Sequence, residues 1–226
     1  MNDIEERVAE CDWTDDNRLL VGCLVLLFWL ASALAIESIC RYSEVRSARL
    51  RDSQTLTPEA LDVGVTLFGS RLYGLTHLPD QAQIALVGWF GLTIWFSDLS
   101  TIQFFNLIVR LGATHSGLIW LRCISIASTV TGLACPNYDV KGGKAGGFNG
   151  RRHDLMFSGH TATGTLLCAF TAHILRNGDP FWYYVTWFGA IANSALQVAV
   201  GDHYTSDVLV ANYVTIPIAL LMLNCR

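Results

Sequence analysis

The sequence predicts an all-α, polytopic membrane protein with six transmembrane helices, and three observations carry that expectation. Of its 226 residues, 52% are hydrophobic and only 15% charged, a balance richer in apolar residues than that of an ordinary soluble domain. Its apolar residues gather into runs without charge that are long enough to cross a bilayer. Two histidines stand at the mouths of such runs, in His153-Asp-Leu-Met-Phe-Ser-Gly-His160-Thr and in Gly201-Asp-His203-Tyr-Thr-Ser-Asp207. The formal charge of −4 and the lack of a sustained basic run with interleaved aromatics argue against nucleic acid as a partner.

Taken in order, residues 1–18 hold seven acidic side chains against Arg7 and Arg18, the reverse of a signal-peptide start, and read as an uncleaved acidic tail. Residues 19–226 read as one six-span catalytic domain, with no internal repeat. Span one is the uncharged run Leu19 to Ile36, which covers a hydrocarbon core of about 30 Å at about 1.5 Å per residue. Arg41, Arg46, Arg49 and Arg51 then open a stretch to about residue 80, expected outside the membrane with an interfacial or re-entrant helix. Its alternative, a span over 62–78, would have to hide Arg71 in the bilayer.

Span two is expected at 82–97, and span three at 112–134, with Arg110 at the membrane surface and Arg122 inside. An intramembrane arginine is costly and needs a partner; Arg122 is either functional or a structural arginine paired with a buried acid. Residues 136–152 combine five glycines with Lys141, Lys144, Arg151 and Arg152 in a basic loop leading into the first histidine motif. The runs 157–175, 180–201 and 208–225 supply spans four to six, stopped by Arg176, Asp202 and Arg226.

The seven cysteines form no C-x-x-C pair and show no zinc-type spacing, so neither a metal nor a cofactor is expected. Most sit in apolar runs as small hydrophobes, while Cys40 and Cys135 flank segments on one face, where a disulfide stays open if that face is lumenal.

Six spans put loops 40–81, 135–156 and 201–206 on one face, so His160 and His203 open onto the same side. Two imidazoles with one carboxylate, Asp207, suit nucleophilic attack and proton transfer at a phosphate. Ser158, Gly159 and His160 would form the first turn of span four, where free backbone N–H groups favour an anion and glycine admits it closely. His77 and His173 are read as packed or interfacial residues without a role.

The strings Asp154-Leu-Met-Phe-Ser-Gly-His-Thr161 and His203-Tyr-Thr-Ser-Asp-Val-Leu-Val-Ala-Asn-Tyr213 resemble the two signature motifs of the sphingomyelin synthase family, within the wider type-2 phosphatidic acid phosphatase superfamily. Leu121-Arg-Cys-Ile-Ser-Ile126 and, more weakly, Leu78-Pro-Asp80 add to the resemblance, which covers about residues 17–224. It implies a phosphosphingolipid synthase that moves a phospho-head-group from a glycerophospholipid to ceramide and releases diacylglycerol. It implies His203 as nucleophile, Asp207 as its orienting acid and His160 as proton donor and acceptor, with Asp154, Ser158, Gly159, Arg122 and Tyr204 around the substrate. The family's Cys-Gly-Asp before the first motif is Arg152-His153-Asp154 here, and the donor head group (choline, ethanolamine or inositol) stays open.

Two other readings compete: a lipid phosphate phosphatase, and a non-catalytic membrane scaffold or transporter. The phosphatases of the superfamily carry a Lys-x₆-Arg-Pro motif, and this chain has no lysine before Lys141. The intact His160, His203 and Asp207 argue against a scaffold. The expected partners are ceramide, glycerophospholipid and the surrounding membrane lipid, with self-association into a homo-oligomer left open. The resemblance implies a Golgi or plasma membrane location with the active site lumenal or extracellular. The arginine and lysine distribution alone would turn that face to the cytoplasm.

Overall fold

A computed structural model describes residues 15–52, 67–68, 75, 77–128 and 157–224, the side chains of 15–16, 40–41 and 43–52 excepted. Among these residues there are six α-helices and no strand: α1 (Asp15–Asp52), α2 (Leu78–Trp95), α3 (Thr101–Ser128), α4 (Gly159–Leu175), α5 (Pro180–Ala199) and α6 (Thr205–Asn224). The chain is an all-α membrane protein. Asn17–Ile39, Thr101–Ser128 and Thr205–Asn224 are long and apolar enough to cross a bilayer by length and composition. Large apolar side chains are exposed on every helix but α4, from Leu19 and Leu34 on α1 to Phe188 and Ile191 on α5 and Leu221 on α6. Such a surface suits lipid, not water.

Two helices differ from expectation. α1 does not stop after its apolar run but continues through Arg41, Arg46 and Arg49 to Asp52, 38 residues or about 57 Å, so its basic end must leave the hydrocarbon. Nothing between Ile36 and Asp52 breaks a helix, and charge ends a span without ending a helix. α3 starts at Thr101, eleven residues before the expected span, and stops at Ser128. Arg110 therefore lies inside α3, where its Nη1 donates to the carbonyls of Met222 (3.1 Å) and Leu223 (3.5 Å). It satisfies acceptors that the last turn of α6 cannot satisfy internally. The expected re-entrant segment, the glycine-rich basic loop and the Cys40–Cys135 pairing fall on residues or side chains outside those described.

α4 is the helix on which the others converge, with eleven of its 17 residues buried against α2, α5 and α6. Because lipid is as apolar as a leucine side chain, helices in a bilayer associate through close backbone approach and interhelical hydrogen bonds. α4 uses both. Gly164 lets α5 approach so closely that an added Cβ would meet the Asn193 amide at 2.5 Å and Leu86 of α2 at 3.1 Å. Thr165 donates to Asn212 Oδ1 on α6, Asn212 Nδ2 donates to Ser194 Oγ on α5 (3.0 Å), and Asn193 Nδ2 donates to the His160 carbonyl (3.2 Å). Phe90, Leu107, Leu118, Phe157, Leu166 and Phe170 fill the core around this network. α1 packs along α3, with Gly112 against Val25 and Gly22 against Phe105.

Candidate active site

The site is built where the N-termini of α2, α4 and α6 meet. Ser158 caps α4: its Oγ accepts from the Thr161 N–H (3.2 Å), and its carbonyl accepts from the Ala162 N–H (3.0 Å). One orphan donor is thereby satisfied, and the Gly159 and His160 N–H groups lie at the positive end of the helix. Ser158 itself is fully buried, so its hydroxyl serves the cap. The Ser158 N–H donates to the Asp207 carbonyl (3.4 Å), a backbone link that ties the first histidine motif to the second.

His203 lies in the turn between α5 and α6, at 8% exposure. That turn is pinned by the Gln197 carbonyl, which accepts from both Asp202 N–H (3.0 Å) and His203 N–H (3.2 Å). Gly201 enters it with φ 74°, a left-handed conformation that glycine adopts without a Cβ clash. His203 precedes α6, and Asp207 sits in its first turn and reaches back. The Asp207 carboxylate accepts from the Tyr204 N–H (3.0 Å) and from Ser206 Oγ (3.3 Å), which fixes it as a helix-start acid. Its Oδ2 is 3.7 Å from His203 Nδ1, within ion-pair range and too long for a hydrogen bond. Tyr204 is half-buried beside it.

His160 has the carboxylate partner that its own motif lacks. Its Nε2 is 2.9 Å from Oδ1 of Asp80, in the first turn of α2 and eighty residues away in sequence. A carboxylate only accepts, so the bond places a proton on Nε2 and leaves Nδ1 as the basic nitrogen of a neutral ring. Pro79 stands at the start of α2, where its missing N–H costs nothing, and it is buried, which fixes the level at which Asp80 projects. The only sequence signal for Asp80 was the short Leu78-Pro79-Asp80 resemblance. Both histidines thus have an acid, but from different places: His203 from the helix that follows it, His160 from a distant one.

Arg122 is brought to the same end. It lies on α3 six residues before Ser128, and its guanidinium stands against Gly159, so that a Cβ there would collide with Nη1. Gly159 is required by that close approach. The structure therefore gathers Arg122, Ser158, Gly159, His160, His203, Tyr204 and Asp207, and adds Asp80. Asp154 lies outside the described residues.

Residues 153–223, which span α4 to α6, match the family model described as PAP2 superfamily C-terminal. The chain is also 36% identical over 66 residues to phosphatidylcholine:ceramide cholinephosphotransferase 2 of Homo sapiens and to the protein of the same name from Macaca fascicularis. That stretch is 27% of this chain and 17% of either relative. The resemblance read from the motifs is thereby met by a superfamily match over the segment that carries them and by a partial match to two ceramide cholinephosphotransferases.

Proposed function

We propose that this protein is a phosphosphingolipid synthase, transferring a phospho-head-group from a glycerophospholipid to ceramide through a phospho-histidine intermediate. The observation that carries the reading is the pairing of two imidazoles with two carboxylates, Asp80–His160 and Asp207–His203, at joined helix N-termini beside Arg122. In the first half, His203 Nε2 attacks phosphorus, the bond to the glycerol oxygen breaks, and a proton from His160 completes the departing diacylglycerol. As the imidazole becomes cationic, Asp207 closes on Nδ1 and stabilises the charge. In the second half, His160 takes the proton of the ceramide primary hydroxyl, whose oxygen attacks phosphorus, and the P–N bond breaks to restore neutral His203. The Gly159 and His160 N–H groups and Arg122 offset charge on the phosphoryl oxygens.

The test is an assay of detergent-solubilised protein with labelled ceramide and donors bearing choline, ethanolamine or inositol. Labelled phosphosphingolipid should appear with an equivalent of diacylglycerol, and chelator should leave the rate unchanged. Fast hydrolysis of phosphatidic acid with ceramide never modified would replace this reading by that of a lipid phosphate phosphatase, in which water takes the phosphoryl group.

A further inference from the structure

One polar chain inside the bilayer is not used by the chemistry above. His115, midway along α3, bridges α1 and α4: Trp29 Nε1 lies 2.8 Å from His115 Nδ1, and His115 Nε2 lies 3.1 Å from Thr163 Oγ1. An indole N–H can only donate, so His115 Nδ1 is the acceptor, and the neutral ring must carry its proton on Nε2. That proton goes to Thr163 Oγ1. The direction of the whole chain follows: Trp29 donates to His115, His115 donates to Thr163, and the Thr163 hydroxyl is left with a proton to give. Among the described residues its oxygen has no other side-chain partner, and three donors pointing the same way strengthen the last one.

The position of that hydroxyl matters. Thr163 follows His160 by three residues, about 4.5 Å deeper along α4. Trp29, at the outer end of the chain, is 43% exposed among the lipid-facing side chains of α1. An ionisable side chain at such depth marks a functional position by default. A lipid whose phosphorus lies against His160 and His203 has a carbonyl oxygen that its connectivity allows to reach this depth. In a diacyl glycerophospholipid it is the ester carbonyl of the middle carbon; in a ceramide-derived lipid it is the amide carbonyl, the same number of bonds from phosphorus.

Resting on the reading of the site as a lipid phosphotransfer centre, we propose that Trp29, His115 and Thr163 form a carbonyl-binding donor chain. It seats the acyl carbonyl of a lipid substrate one turn beneath His160 and so sets the register of the phosphate on the catalytic pair. These are binding residues, not catalytic ones. Ester and amide carbonyls present the same chemistry, and the experiment separates them.

The experiment measures equilibrium binding to the protein in nanodiscs of four labelled lipids: diacyl and dialkyl-ether phosphatidylcholine, and an N-acyl sphingoid base with its neutral analogue in which an O-alkyl ether replaces the amide. The unmodified protein should bind at least one carbonyl-bearing lipid about three- to tenfold more tightly than its carbonyl-free counterpart, the range of one net hydrogen bond. The affected pair, ester or amide, identifies the source. Thr163→Val and Trp29→Phe should erase that preference without weakening the carbonyl-free lipid, and Thr163→Ser, which keeps the hydroxyl, should retain it. Equal affinity for both members of both pairs in the unmodified protein overturns the proposal. So does an equal loss for all four lipids in the variants, which is what mere packing would produce. Binding needs no turnover, so a protein that shows the preference but never transfers a head group overturns the synthase reading alone.

Discussion

Replacing His203 by alanine is expected to abolish the proposed covalent intermediate and to lower turnover by at least about four orders of magnitude, the scale seen when a nucleophile is removed from a concerted set. His160→Ala should produce a similar loss with natural donors for a different reason: the nucleophile would survive, but the glycerol oxygen would have to depart unprotonated. The two are separated with a donor whose leaving group needs no proton. Phosphohistidine, detected by acid-labile, base-stable label, should then form on the His160→Ala protein at near-normal rate and not on the His203→Ala protein. Asp80→Asn should follow His160→Ala in being relieved by that donor, and Asp207→Asn should not, because the two acids serve different rings. Label found on His160 would reverse the assignment of nucleophile and proton carrier.

The second large effect comes from one methyl group. Gly159→Ala places a Cβ on the Arg122 guanidinium, the mobile end of a long side chain, so the helix tolerates the change and the arginine moves. The expected loss is about a hundredfold in kcat, comparable to removing one donor from an anion-stabilising set, with little change in thermal stability. Arg122→Ala should cost about as much, and adding Gly159→Ala to it should cost nothing further, since there is then nothing to displace. Losses that multiply in the double variant would show that Gly159 acts independently of Arg122.

The helices whose ends are written locally were legible. Span four was expected at 157–175 and the helix is Gly159–Leu175; span five at 180–201 and the helix is Pro180–Ala199. Ser158 and Asp179 cap them with their own side chains, and Pro180 starts α5, so the signals sit within a few residues of the boundary. α3 was misplaced because Arg110 reads as an interruption until the α6 carbonyls that receive it are known, and they lie more than a hundred residues away. The site divides in the same way. His160, His203 and Asp207 stand in recognisable strings, whereas the Asp80–His160 pairing and the Trp29–His115–Thr163 chain are contacts between helices that periodicity and composition do not encode. Position 115 itself carried a signal that was overlooked: a histidine in the middle of an apolar run.

The burial of α4 also bears on how the protein is made. A chain synthesised from its N-terminus delivers α4 before α5 and α6 exist. Thr165, Gly164 and the His160 carbonyl then lack Asn212 and Asn193, the partners that later cover them. α1 and α3, which pack on each other, need no such delay. The fourth helix is therefore a late settler: it gains its full hold in the bilayer only as the last two helices arrive, in the same step that joins Ser158 to Asp207. Nascent chains stalled before α5 should leave α4 extractable by alkali, and chains stalled after α6 should not. Residence in the membrane and competence for chemistry would then be acquired together, so that no half-inserted form carries a working pair of histidines.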